Sequence, residues 1–540
     1  MSKKTCALIS LIMVITMLFA VGCQQKASTD EQKTNDQVSA NENEGNELKE
    51  EESLLPEGEV LTYWTQFTGA PIAKSPGETV YYQELQERTG IKLEFISSSG
   101  GSEQLSLLVA SGDTPDIIEE WWHEFPGGIM KALNDEVIIP LNDLMDAGHF
   151  PNFTAYLASD PEADKLSKND DGLYFNLPMI RLPDSYLVFS GNIIRQDWLE
   201  ELGLEMPKTI DDLEEVLLAF KNEKGAETGY AAAWSDDRLM IQAFGVVQGF
   251  YVDENGKVQY GYLQDGYKEF LTLFNDWLNK GILDPDFYTH DYDTFAAKIA
   301  SGKTGLIWGY TGGEFTKLEQ IKKEVADSDP NMNWVPVPNP VRAEGESFPV
   351  DISAYRVSSI GASISSNCKY PEAAAKILDY PYSEEGMMLS NFGVEGVSYV
   401  INDEGLPEYT DLITNNPDGY SFDEALIYHI GPKNKSFLNT KRYMELNYAL
   451  DVQKESVELW KTPDAKIKLM PPVTLTTEEN SEFAEIMSEI DTYVSEMKLR
   501  FIMGTEPLEN FDDFREKIKS MNIERAIEIQ QAAYDRLMNR

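Results

Sequence analysis

Beyond about residue 58 the apolar positions of the chain recur at two alternating spacings. Residues 60–64 read as a short strand, 80–88 repeat at helical spacing, 91–96 return to a strand and 103–110 to a helix. The turn Ser111-Gly112-Asp113-Thr114-Pro115 then leads into a strand at 116–118. Strand, helix, strand, helix, turn, strand is the opening of an α/β fold.

The same alternation persists downstream. Thr209 stands as an N-cap with Asp212 three residues on, and Ile210, Leu213, Leu217 and Phe220 share one helical face. Residues 267–279 repeat that spacing through Phe270, Leu271, Phe274 and Leu278 and stop at Gly281. A helix at 294–300 turns at Ser301-Gly302-Lys303 into a strand at 304–308. Pro371 suits the first position of a helix at 372–380, which Pro381 ends. The last thirty residues read as two helices parted near Asn522, with Ile523, Ala526, Ile527, Tyr534 and Leu537 as a buried stripe. Trp198 and Trp277 fall inside helices and are expected in the core.

The first 57 residues follow other rules. Lys3 and Lys4 precede an apolar run over 6–22, short for a membrane span but suited to the core of a secretory signal. The run ends Phe19-Ala20-Val21-Gly22-Cys23, which resembles a bacterial lipobox, with Ala20 where leucine is usual. The expectation is a lipoprotein signal peptide at 1–22 and a lipidated Cys23. Acyl chains would hold the protein to the bilayer, each buried methylene contributing roughly 0.8 kcal/mol. Residues 23–57 lack aromatics and carry ten acids against Lys26, Lys33 and Lys49, which predicts an acidic disordered tether.

Charge and composition narrow what the body does. A net charge of −47 excludes a nucleic-acid coat, which needs Lys and Arg against phosphate. With 42% hydrophobic residues, the stretch after the tether has material for two large domains or three average ones. Cys6, Cys23 and Cys368 match no zinc spacing, and His123, His149, His290 and His429 include no pair at ligand spacing on one helix. No Gly-x-Ser-x-Gly elbow, His-Glu-x-x-His or Walker loop occurs. Neither a metal nor another cofactor is expected.

Five blocks bring a resemblance. They are Ser111-Gly112-Asp113-Thr114-Pro115-Asp116, Ile138-Ile139-Pro140-Leu141-Asn142-Asp143, Ile194-Arg195-Gln196-Asp197-Trp198-Leu199, Ser301-Gly302-Lys303-Thr304-Gly305 and Phe392-Gly393-Val394-Glu395-Gly396-Val397-Ser398-Tyr399. In this order, behind a lipobox, they resemble the large lipoprotein members of the family 1 extracellular solute-binding proteins, the receptors of bacterial ABC importers for sugars. The resemblance implies a two-lobed α/β fold closing by a hinge, with lobe 1 at 58–182 and 351–400 and lobe 2 at 183–350 and 401–540. It implies a carbohydrate ligand, ABC permease membrane subunits as partners, a lipid anchor on the extracellular face of the cell membrane, and a monomer. Some relatives carry an acidic calcium loop after the helix that begins at Ile210. Here that stretch is Asn222-Glu223-Lys224-Gly225-Ala226-Glu227-Thr228-Gly229, which lacks alternating oxygen ligands.

A sugar cleft offers aromatic platforms to the C–H faces of pyranose rings and charged hydrogen-bonding groups to hydroxyls. Aromatics at strand ends and turns are the candidates: Trp64, Trp121, Trp122, Trp234, Trp308, Tyr310, Tyr355 and Tyr399, with one of the Trp121-Trp122 pair expected in packing. Glu395, a carboxylate next to glycine, is the charged candidate. Arg195 and Asp197 are expected to pair with each other, and Asp116 to fix a turn. The rival reading is a secreted carbohydrate-active enzyme using an acid pair such as Glu119-Glu120 or Asp236-Asp237, although adjacent acids on a strand face opposite ways. A third is a peptide-binding lipoprotein.

Overall fold

The structure, a computed structural model, describes residues 54–67, 72–98, 101–122, 125–231, 238–289 and 292–540. The expected signal peptide, Cys23, most of the expected tether, Trp234 and the Asp236-Asp237 pair lie outside the described residues. The chain divides into units Met1–Glu52 and Ser53–Arg540, and every element below belongs to the second.

Among the described residues the largest sheet has six strands. Its order is Leu438–Asn439, Leu177–Arg181, Val357–Ile364, Ile117–Trp121, Leu61–Gln66, Leu93–Ser98. Val357–Ile364 runs antiparallel to both its neighbours, while Leu61–Gln66 pairs in parallel on both sides. The opening expected from sequence is therefore present. Thr79 caps the helix Val80–Thr89 by accepting from the Tyr82 N–H, and Gly90 ends it in the left-handed region at φ 74°. Asp116 accepts from the backbone N–H and hydroxyl of Thr62 at 2.8 and 2.7 Å, locking the first strand to the third. One face of the sheet buries Tyr81, Tyr82, Leu85, Ala374 and Ile377, and the other buries Trp64, Leu105, Ile118 and Trp122.

A second sheet has the order Trp334–Pro336, Ser190–Arg195, Thr304–Tyr310, Thr228–Ala231. Its principal helices behave as their sequence dictates. Ile210–Lys224 starts in a capping box of Thr209 and Asp212 and ends at Gly225, leaving three residues before the Thr228–Ala231 strand. Asp265–Lys280 buries Tyr267, Phe270, Leu271, Phe274 and Trp277. The C-terminal helices, Phe511–Ser520 and Ile523–Asn539, are parted by Asn522 at φ 66° and add Phe511, Phe514, Ile523 and Ala526 to the same core. Arg195 lies wholly buried, bidentate to Asp197 at 2.8 and 2.6 Å, bonded to Asp329 at 2.8 Å, with Trp198 against its guanidinium.

A third, small sheet joins Val350–Asp351, Ile467–Leu469, Phe250–Val252 and Val258–Tyr260. The chain crosses from the first sheet to the second between Arg181 and Ser190, and returns from the third to the first between Asp351 and Val357. Sequence reading placed 401–540 with the second lobe, yet Leu438–Asn439 pairs with Leu177–Arg181 in the first sheet. A strand of two residues leaves no periodicity to read.

Candidate functional site

Strands Leu61–Gln66 and Ile117–Trp121 are parallel and end on the same side of the first sheet. Beyond their ends is a hollow of about 260 Å³, walled by Gln66, Phe67, Trp121, Ile360 and the segment Pro432-Lys433-Asn434. Two buried glutamates form its floor. Glu119 accepts from the Ser436 N–H at 2.6 Å and the Thr65 hydroxyl at 3.3 Å; burial pushes its pKa up, and those donors with Lys435 oppose the rise. Lys435 is itself buried, which pulls its ammonium down to about 7 against the pull of Glu119. Glu120, on the opposite face, accepts from the Trp64 indole at 3.2 Å and from Gln66. Both carboxylates are thus engaged in holding strands, and they face apart as the period of a strand requires.

The corresponding edge of the second sheet is aromatic. Tyr310 ends the Thr304–Tyr310 strand with 39% of its surface exposed. The Trp308 ring lies 4.9 Å from it edge to face, and the half-buried Phe189 lies 6.5 Å away, nearly coplanar at 27°. The strand can turn here because Gly309 leaves room for Glu314, whose carboxylate accepts from the Tyr310 N–H. Phe189 carries the guanidinium of Arg181 at 5.3 Å, and Arg238 lies 5.5 Å from the Trp308 ring. On the crossing segment Tyr186 stacks with Tyr448 at 5.9 Å, and the Tyr448 ring lies 3.8 Å from where a Cβ on Gly312 would stand, two residues past the Thr304–Tyr310 strand. Tyr186, Trp121 and Tyr448 all pack on the cluster around Ile360. That cluster joins the two edges.

The expected residues divide. Trp121 lines the hollow, and Tyr310 is the open platform of the second edge. Trp308 is buried beneath Tyr310, and its indole N–H makes no hydrogen bond among the described residues. Trp64 is fully buried with its N–H given to Glu120 and packs in the core, whereas Trp122 gives its own to the Gly361 carbonyl at 2.9 Å and lines another hollow, of about 300 Å³, with Phe175, Val473 and Phe483. A strand-end tryptophan whose N–H finds an acceptor beneath the sheet turns inward. Tyr355 donates to the Leu469 carbonyl at 2.8 Å and ties the return crossing to the third sheet. Glu395 and Tyr399 belong to a hairpin, Tyr399–Ile401 with Pro407–Tyr409, where Tyr399 is buried against Phe392 and Glu395 is exposed. Arg88, in the last turn of Val80–Thr89, is the cation that acts on Tyr399, and neither Glu395 nor Tyr399 lines the hollow. Phe67, Phe189 and Tyr186 were missed, although Phe67 and Phe189 flank strands just as Tyr310 does; Arg181 and Tyr448 carry no local signal.

A larger hollow, about 590 Å³, opens between Phe244, Tyr251, Arg342 and Phe348. Its walls all come from segments around the second and third sheets, so a hinge movement would leave it unchanged.

Two α/β lobes whose strand ends present aromatic edges on either side of a chain crossing define a class, the two-lobed binding proteins. The family profile described as bacterial extracellular solute-binding protein matches residues 73–388, and the chain belongs to that family. It is similar to the fructooligosaccharide ABC transporter substrate-binding protein FusA of Streptococcus pneumoniae, 25% identical over 515 residues that cover 89% of this chain and 91% of that one. It is similar also to lipoprotein LipO of Bacillus subtilis, 24% identical over 485 residues, 82% and 86% of the two chains. The solved structure of the alginate-binding protein AlgQ2 without calcium ion has the same fold, with a TM-score of 0.72 at 23% identity over 88% of this chain and 97% of that one.

Proposed function

We propose that the protein is a lipid-anchored extracellular receptor that captures an oligosaccharide between its lobes and hands it, unaltered, to an ABC importer. The observation that carries this reading is the pair of edges: Trp121 and Phe67 on the first sheet, Tyr310 and Phe189 on the second, joined through the Tyr186–Tyr448 stack. Micromolar capture needs about −8 kcal/mol, which stacked rings and a few charge-assisted hydrogen bonds supply. Closure raises affinity because contacts from both lobes coexist only in the closed state, and an importer can read that state. Supporting the reading are the carbohydrate-transporter relatives, of which FusA is named for fructooligosaccharide, and the commitment of Glu119 and Glu120 to structural hydrogen bonds, which keeps that pair from serving as a facing acid and base.

The sheets suggest lobe boundaries near 54–182 with 354–448, and 187–353 with 450–540. The lipobox ending at Cys23 supports anchoring, and the acidic stretch after it a tether; the mature protein acts as a monomer. The test is a glycan panel followed by thermal shift, X-ray scattering and product analysis on the purified protein. Binding with a smaller radius of gyration and no product is expected. Binding without compaction, or any hydrolysis product, overturns the proposal.

A further inference from the structure

In a chain with net charge −47, an arginine without an acidic partner stands out. Arg195 holds Asp197 and Asp329, Arg356 holds Asp160 and Glu162, and Arg540 holds Asp170. Arg181 forms no ion pair among the described residues: its one hydrogen bond goes to the Tyr355 carbonyl at 3.1 Å. It ends the strand that leads into the crossing, half-buried, with its guanidinium on the Phe189 ring beside the exposed Tyr310. Burial lowers its pKa and only the Tyr448 hydroxyl acts the other way, yet a guanidinium stays charged at any physiological pH. A half-desolvated cation with one of its five N–H donors used is costly unless something anionic meets it.

The surroundings repeat the theme. Lys441 lies 5.6 Å from the Tyr186 ring, and Arg238 lies against Trp308. Three aromatics of the row, Phe189, Tyr186 and Trp308, therefore have a cation at their side, although the protein as a whole repels anions. Planar guanidinium donors match a carboxylate in bidentate fashion, while a neutral hydroxyl uses one donor and leaves the charge uncompensated.

Resting on the oligosaccharide reading above, we infer that the ligand is an acidic oligosaccharide, one whose uronate carboxylate pairs with Arg181 while its ring stacks on Tyr310. The site is thereby selective for charge as well as for sugar shape.

Isothermal titration of the full folded body with a set of uronate oligosaccharides (galacturonate, mannuronate and glucuronate trimers), each beside its methyl ester, and with neutral kestose tests this. A charge-assisted pair corresponds to about 10- to 100-fold in affinity. An acid should therefore bind at least 10-fold tighter than its ester, and R181Q should bring that ratio to about one by weakening the acid far more than the ester. Because Arg181 also bonds Tyr355, R181K serves as the folding control and should keep part of the preference; the acid-to-ester ratio in the unmodified protein needs no variant. Binding of kestose or the esters as tight as any acid, or an acid preference that survives R181Q, overturns the inference and leaves an oligosaccharide receptor standing. Failure of every glycan, charged or neutral, to bind or compact the protein removes the receptor reading with it.

Discussion

Gly191 is the position where the packing of the second edge can be tested most directly. It lies in Ser190–Arg195, two residues after Phe189, and a Cβ placed on it would fall inside the Trp460 indole, 2.5 Å from Nε1 and closer still to the ring carbons. Trp460 cannot swing aside. It is fully buried, its N–H is given to the Val337 carbonyl at 2.9 Å, and Phe315 stacks on it at 6.3 Å. G191A must then push the strand, and overpacking of this kind costs about 3 kcal/mol. With an unfolding entropy near 2 cal/mol/K per residue, that is a fall in Tm of about 3 °C for a body the size of Ser53–Arg540 unfolding as one unit, and about twice that for one lobe alone. The same push moves Phe189 and Ser190, which pairs with Tyr310, so glycan affinity should fall with stability. Calorimetry or urea unfolding of G191A, W460L and G191A/W460L reads the cycle. W460L alone should cost about 3 kcal/mol as a cavity, while the double variant should cost little more than W460L, a coupling of about 3 kcal/mol. Additive losses, or a G191A protein as stable as the parent, would refute the packing argument.

Three further outcomes follow from side chains already described. Arg356 pairs with Asp160; burial acting to raise the Asp160 pKa is outweighed by Arg356, the Ala163 N–H and Tyr156, which hold it below the ordinary carboxylate value. Its stabilisation is thus complete above about pH 4 and is lost as pH falls through the lowered value, so D160N should cost about 3 kcal/mol at pH 7 with the gap narrowing in acid; a gap that ignores pH refutes the pairing. Burial, with Asp116 and Glu372 nearby, pushes the Cys368 thiol up to about 12, so a protein expressed from Gln24 onward, which lacks Cys6 and Cys23, should react with Ellman's reagent at pH 8 only after unfolding, and rapid native labelling would contradict the burial. Feeding cells a palmitate analogue should label the parent protein but not C23A, with glycan affinity unchanged between them, and an unlabelled parent would remove the anchor from the proposal.

Much of the fold could be read locally because its stops are chemical. Thr209 with Asp212, Pro371, Gly281 and Asn522 each fix a helix end through their own backbone or hydrogen-bonding needs, and the structure places each where sequence alone put it. The site was less legible for a reason that Trp64 and Tyr310 make plain. Both end strands, but Trp64 has Glu120 beneath the sheet to accept its N–H and turns inward, whereas Tyr310 follows Gly309 around the Glu314 carboxylate and remains outside. That difference depends on partners 56 residues away in one case and four in the other. Arg181 is the extreme instance, since what singles it out is that, among the described residues, it forms no ion pair in a chain with 92 acids.

The connections between the lobes also set how a ligand can move them. Besides the three crossings, which fall between Arg181 and Ser190, Asp351 and Val357, and Asn439 and Ile467, the C-terminal helix Ile523–Asn539 is rooted by Ile523 and Ala526 in the second core, yet its end carries Arg536 and Arg540 onto Asp170 and the carbonyls of Lys165 and Lys168 beside the first sheet. Lys165 returns a hydrogen bond to the Met538 carbonyl, and Arg536 also grips Glu479. A hinge opening that parted this face would break several charge-assisted hydrogen bonds at once, whereas Tyr186, Phe189 and Tyr310 meet their neighbours through ring contacts that can slide. On the proposed hinge movement, opening would pivot about the Arg540 side and widen on the Tyr310 side, against Arg181.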